Sequence, residues 1–310
     1  KTKQSAMLDN LLSNPQFYFF FFFAKFLNQK NPRFVGVIPM EKDWAATDYK
    51  LAYDIYKEKF ANAGNFHFYF AGNIDEGKFK NEILKYVASL PSTGKTSSFK
   101  DTGYRSIGGD FTKVYKKGKD PKSMVQIVYS GETPYNEKEA LALSALGEVA
   151  TIKVIEKLRE EESGIYGGGA RGTMTKVPFS NYTFSISFPC GPENADKLTK
   201  SAIAELQKLI DNGPEQKDLD KYKEGEINDY KTNLKDNNYW VNALSRNQLD
   251  GSDQYDILNY PEKVKELTVN DLHNVAKKYL TKNRGIATLM PEDGLENRKN
   301  DEVKTATVKK

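Results

Sequence analysis

Apolar and polar residues alternate most cleanly between Tyr182 and Phe188. Tyr182, Phe184, Ile186 and Phe188 fall on one face, and Thr183, Ser185 and Ser187 on the other. A period of two predicts an antiparallel strand with one wet face. Phe111–Tyr115 and Met124–Ser130 also read as strands, bounded by turn-forming residues. After Asn136, an N-cap candidate, the spacing changes: Leu141, Ala145, Val149, Ile152 and Ile155 recur at helical intervals. They predict a long helix reaching about Arg159 with that stripe buried. Two further helices are predicted, at about Glu193 to Asn212 and Lys217 to Lys235, the first stopped by Asn212-Gly213-Pro214. Strands in hairpin-like runs and helices in blocks predict an α+β fold, with a mostly antiparallel sheet and helices packed on one of its faces.

The pattern repeats. Tyr49 to Phe70 reads as a helix ending in Tyr56-Lys-Glu-Lys-Phe60, a turn over Asn62 to Asn65, and an apolar strand Phe66 to Phe70. Asp271 to Met290 has the same order, with a helix closing at Lys277-Lys-Tyr-Leu280, a turn at Lys282 to Gly285 and a strand from Ile286. The offset is about 220 residues, and at that offset Asn14-Pro-Gln-Phe-Tyr18 falls over Asn237-Asn-Tyr-Trp240, each leading into an aromatic-rich helix. A unit of about that length fits the chain roughly one and a half times, so the chain is expected to begin in mid-repeat. Pro91-Ser-Thr-Gly-Lys-Thr-Ser-Ser98 has little to pack and reads as a linker. The expected division is residues 1–92 as the C-terminal part of one unit and residues 97–310 as a complete second unit. The tail beyond Glu292 is nearly all charged or small and is expected to fray.

Composition narrows the chemistry. Of 310 residues 38% are hydrophobic, enough for one or two ordinary cores, and 46 basic against 42 acidic side chains leave a net charge of only +4. That balance does not point to a nucleic-acid partner. The longest apolar run, Phe17 to Ala24, ends at Lys25, far short of the ~20 residues that span a bilayer. It reads as a helix buried all round; left uncovered, the same aromatic surface would promote self-association. Residue 1 is not Met and no leader pattern follows it, which reads as a processed end. One cysteine, Cys190, excludes an internal disulfide, so the redox compartment stays open. Only two histidines, His67 and His273, are present, and neither has a second nitrogen ligand close in sequence. A zinc site built from this chain alone is not expected.

The most distinctive segment is Lys157 to Arg171, which runs helix, glycine break, strand. Gly167, Gly168 and Gly169 strip side chains from the start of the strand and let another backbone approach. The order is the reverse of a phosphate-binding loop, which needs a strand before the glycines and a helix after them. Glu160, Glu161 and Glu162 read as a solvated helix face. Two readings of Arg159 and Tyr166 stand at this point. An arginine fork and a tyrosine hydroxyl could converge on a carbonyl or oxyanion. Alternatively the segment is a helix end, with Arg159 at the negative pole of the dipole and Gly164 left-handed.

Leu158-Arg159, then Gly164-Ile-Tyr166 and a glycine-rich strand, then Tyr182 to Phe188 and the closing helix and strand, resemble the C-terminal half of the pitrilysin/insulinase family of zinc peptidases. Asn65 to Pro91 is similar to the close of that family's third domain. The resemblance covers almost the whole chain. It implies a LuxS/mitochondrial-processing-peptidase-like metallohydrolase repeat in about one and a half copies, out of four homologous domains that form two bowl-like halves around a peptide-digesting chamber. It implies that zinc sits in the first domain on an inverted His-x-x-Glu-His helix, a motif absent here, so no cofactor is expected on this chain. It also implies substrate-binding roles for Arg159, Tyr166, Gly167 and Gly168, with peptide and a zinc-bearing N-terminal half, or a partner subunit, as partners. The chain alone is then expected to be inactive, and since the family has exported bacterial members, a periplasmic parent is the matching expectation. The alternative is a non-catalytic paralogue or structural subunit paired with a zinc-bearing partner.

Overall fold

The computed structural model describes residues 7, 10–29, 31, 34, 41–161, 165 and 167–292. Residues 10–13 are helical and, after a bend at Asn14, α1 (Pro15–Leu27) starts where the side chain of Asn14 accepts a hydrogen bond from the Phe17 amide at 3.0 Å, with Pro15 in the first turn. α2 (Glu41–Ala46), α3 (Tyr49–Phe60) and α4 (Glu76–Tyr86) follow. Between α3 and α4 the predicted strand Phe66–Phe70 is extended at Phe66 but pairs with no other described segment and is not a strand. Apolar residues favour an extended chain, but a strand exists only through hydrogen bonds to a neighbour, and none of the described residues supplies one.

Residues from 111 onward build the sheet. β1 (Phe111–Lys116), β2 (Ser123–Glu132), β3 (Gly169–Thr175), β4 (Asn181–Cys190) and β5 (Arg284–Met290) lie in the order β1-β5-β2-β4-β3. Among these strands only β1 and β5 run parallel; the other three pairs are antiparallel. In the β2–β4 register Val125 faces Phe188, Ile127 faces Ile186 and Tyr129 faces Phe184, and all six are buried. The alternation read along Tyr182–Phe188 therefore marks the core face correctly.

The helices of this part are α5 (Glu137–Ile155), α6 (Ala195–Asn212), α7 (Gln216–Asn233), α8 (Asn237–Asp250), α9 (Asp256–Glu266) and α10 (Val269–Tyr279). α5, α6 and α10 join the inward residues of β2, β3 and β4 in one core. Asn136 caps α5 through the Glu139 amide, and α6 ends at Gly213, both as the pattern predicts. The stripe of α5 is wider than predicted. Ala145 and Val149 are fully buried, but so are Leu143, Leu146, Gly147 and Ala150, while Leu141, Ile152 and Ile155 are only half-buried. The reason is that α5 is covered on two sides, by the sheet and by α6 and α10. Across the sheet, α1 packs Phe19 and Phe23 onto Val128, Ala287 and Leu289, so much of the aromatic run is buried as expected, with Phe20 exposed.

Candidate functional site

The site begins at the C-terminal end of α5. Thr151 Oγ1 donates to the carbonyl oxygens of Gly147 and Ala170, both at 3.0 Å, and accepts from the Ala170 amide at 2.7 Å, which pins the start of β3 to the helix. Gly168 sits at φ 150°, and a Cβ there would lie 2.8 Å from the Ser187 carbonyl oxygen and 2.9 Å from Ile155 Cδ1. Only glycine fits that approach. Gly167 has open space where a Cβ would be.

Beyond Ile155 the chain widens into a π-helical turn, Glu156–Glu161, a form that is rare and often found at functional sites. Leu158 is fully buried in it, whereas Arg159, the next residue, is exposed. The turn packs against α6, so Leu158 anchors the backbone that carries Arg159. Tyr166, Gly164 and Glu162 lie outside the described residues, as does the tail beyond Glu292; Ile165, between Gly164 and Tyr166, is buried. Of the four sequence-derived site residues the structure thus places Arg159, Gly167 and Gly168 around the junction of α5 and β3.

The other candidates have structural surroundings. His273 Nε2 is 2.9 Å from the Ile210 carbonyl oxygen, and its ring packs against Gly213, holding α10 to the end of α6. His67 is exposed in the unpaired segment after α3. Burial pushes the Cys190 thiol up to about 11, which keeps it protonated and unreactive at neutral pH. Among the described residues no three His, Cys, Asp or Glu side chains come close enough to hold a metal ion, so these described residues do not fit a zinc.

Residues 53–226 match the family profile described as the peptidase M16 inactive domain. The chain belongs to the peptidase M16 family. The M16 chain is 24% identical over 239 residues to the Arabidopsis thaliana protein named zinc protease PQQL-like, covering 72% of this chain and 25% of that protein. It is 24% identical over 158 residues to the probable zinc protease PqqL of Haemophilus influenzae, covering 51% of this chain and 17% of the relative. It therefore spans a quarter or less of these relatives' length. Among solved structures, the peptidase M16 inactive domain from Pseudomonas fluorescens superposes with a TM-score of 0.76 at 16% identity, over 94% of this chain and 69% of that one. The periplasmic protease PqqL from Escherichia coli gives 0.61 at 19% identity, over 71% and 25%. These likenesses carry the α+β fold read from the sequence.

The M16 chain also holds a feature the sequence did not disclose. A cleft of about 540 Å³ opens where β3 meets the first half of α5, walled by Leu141, Arg171, Met174, Arg246, Asp250 and Tyr260. Burial and the Glu226 carboxylate, which accepts from Tyr260 at 2.5 Å, push the Tyr260 hydroxyl well above the ordinary tyrosine range, so it stays protonated. These residues come from four elements far apart in sequence, and no local motif joins them.

Proposed function

We propose that this chain is the C-terminal portion of a zinc metallopeptidase, that it contributes peptide-substrate binding and closure of the digestion chamber, and that hydrolysis requires a zinc-bearing N-terminal half. One division of labour follows. Residues 1–92 complete one repeat, residues 97–310 form the next, and the catalytic zinc, with the water it activates, belongs to the N-terminal half. What supports the reading is the match to the inactive M16 domain, together with the junction of α5 and β3. There a buried Leu158 and a clasped Ala170 fix both flanks of the segment that carries Arg159 and Tyr166.

In this reading Arg159 holds the peptide backbone by charge-assisted hydrogen bonds, and Tyr166 donates to the scissile carbonyl as it becomes an oxyanion. Gly167 leaves room for substrate, and Gly168 lets β3 start hard against β4. The test is kinetic, in the full-length protein. Tyr166→Phe should lower kcat by about 10²–10³, the cost of one oxyanion donor, with thermal stability unchanged. Arg159→Ala should mainly raise KM, because a group that grips substrate equally in ground and transition states acts on binding. If both variants retain native kinetics and Arg159→Ala loses only about 0.3–1 kcal/mol of stability, Arg159 is a helix-end residue and the reading fails.

A further inference from the structure

Next to the cleft beside β3, and sharing Glu137, Arg246, Tyr260 and Lys263 with it, lies a second cavity of about 390 Å³ where α7, α8 and α9 converge. Glu226 and Tyr230 stand one helical turn apart on α7, Tyr239 comes from α8 and Tyr260 from α9, and all four line it. The corner between α7 and α8 is fixed. The Asp236 side chain caps α8 through the Asn238 amide, and the Trp240 indole N–H donates to the Leu234 carbonyl at 2.9 Å. Tyr230 is buried, with the Tyr239 ring 6.4 Å away at 82° and the Tyr260 ring 6.0 Å away at 35°. Three rings set at different angles thus wall the cavity, the arrangement by which aromatic faces hold a cation.

Charge on the walls is unbalanced. Three carboxylates, those of Glu137, Glu226 and Asp256, face two cations, Arg246 and Lys263. Lys263 is held at 2.6 Å from Glu137 and 3.1 Å from Asp256, while Arg246 lies on the exposed wall shared with the cleft. Glu226 is half-buried; one of its oxygens accepts from Tyr260 at 2.5 Å, and among the described residues no cation pairs with it. The phenols around it carry no charge either. Burial first, and Glu226 after it, pushes the hydroxyls of Tyr222, Tyr239 and Tyr260 up, so all three stay protonated at neutral pH. A partly desolvated carboxylate without a counter-charge gains most from a group that is both cationic and able to donate, and the rings beside it favour the same charge.

We propose that this cavity binds a primary alkylammonium group, which donates to the free oxygen of Glu226 and seats its charge and first methylenes against Tyr230, Tyr239 and Tyr260. A quaternary ammonium would satisfy the rings but has no N–H for the carboxylate. A primary alkylammonium is carried by a lysine side chain or by a small free amine, and both present the same end to the site. The cavity falls within the range of small-molecule sites, about 300–1,000 Å³. None of its residues belongs to the junction of α5 and β3 that carries Arg159, and it gives zinc no role, so it stands independently of the proposed function.

The experiment titrates the 310-residue chain with n-butylammonium chloride, followed by NMR of its amide and ring resonances. Shifts should saturate and include Tyr239 and Tyr260. n-Pentanol, of similar shape but uncharged, should not bind, and tetramethylammonium, which cannot donate, should bind about tenfold more weakly. Glu226→Gln, whose amide oxygen can still accept from Tyr260, should weaken n-butylammonium binding by about tenfold, the loss of one charge-assisted hydrogen bond. Tyr239→Leu should weaken it about three- to fivefold through the lost aromatic face, while Tyr239→Phe should bind as the native chain does. Melting curves show whether each variant folds; should Glu226→Gln not fold, the contrast between the two Tyr239 variants and the n-pentanol control still decides. Nα-acetyl-lysine N-methylamide identifies the source: tighter binding than n-butylammonium assigns the site to a lysine side chain, equal or weaker binding to a free amine, and either supports an ammonium site. Absence of saturable binding, n-pentanol or tetramethylammonium binding as tightly as n-butylammonium, native affinity in a folded Glu226→Gln, or shifts confined to residues outside the cavity would overturn the proposal.

Discussion

At Gly172 a Cβ would stand 2.0 Å from the Leu143 carbonyl oxygen, and at Gly147, across the same contact, 2.6 Å from the Gly172 nitrogen. Two glycines face each other so that α5 can lie directly on β3. Neither contact can yield cheaply, because both atoms met are backbone. Gly172→Ala should force α5 off the strand and cost about 1–3 kcal/mol, as overpacking does, visible as a lower denaturation midpoint. Gly167→Ala, with nothing within 4 Å of the added methyl, should leave the midpoint in place. If the two variants melt alike, the close approach is not what orders this junction. Tyr279 is a second residue whose role is set by its neighbours. It is buried against Tyr182 at 4.4 Å between ring centroids, and its hydroxyl donates to the Glu139 carboxylate, joining α10 to the first turn of α5.

Helices in this fold are tied by charges at their ends. Glu215 is the N-cap residue of α7; its carboxylate lies 2.7 Å from Lys217 and 2.9 Å from Lys153 of α5, and Lys153 also reaches Asp218 at 3.1 Å. The hydrogen bond from Lys217, then that from Lys153, lowers the Glu215 carboxyl from its ordinary 4.5 to about 2. A carboxyl depressed in the folded state stabilises the fold fully above its ordinary value. That contribution is lost as pH falls from there through about 2. Glu215→Gln should therefore melt slightly below the native chain at pH 7, and the gap should close progressively as pH falls from about 4.5 toward 2. The effect is small because Glu215 is solvent-exposed and its pairing screened. Melting curves across that range check it, and a gap that widens in acid would show the sign to be wrong.

Taken as a whole, the molecule is unevenly packed. Residues 111–290 enclose the core, and α1 adds a second cluster across the sheet, yet no residue between 49 and 99 is buried. Tyr49, Phe60 and Phe99 are 83%, 57% and 63% exposed. Residues 91–97 are held mainly to the turn at 62–65, by Asn62 to Thr93 and Lys95 and by Asn65 to Ser97. Limited proteolysis should therefore cut first between residues 91 and 100 and leave the sheet-bearing part intact. A first cut within 137–159 would place the weak point in the core and contradict the division at 92–97. The same exposed aromatics should bind a hydrophobic dye strongly in the native state, as large uncovered apolar surface does.

What the sequence determined by itself was whatever depends on neighbours along the chain. The period of two in Tyr182–Phe188 marks its core face, Asn136 and Gly213 mark helix ends, and the spacing of Arg159, Tyr166 and the glycines carries the resemblance to zinc peptidases, because caps, periodicity and motifs are local properties. Tertiary structure decided what depends on partners. Phe66–Phe70 carries a strand's composition but is not one, since no neighbouring strand among the described residues completes its hydrogen bonds. Leu141 and Ile155 are only half-buried while Leu143 and Gly147 vanish into the core, since α5 is enclosed on two sides rather than one. The cleft beside β3 could not be read at all: Arg171, Arg246 and Tyr260 meet only because the order β1-β5-β2-β4-β3 leaves β3 at the edge and the chain returns α8 and α9 to face it.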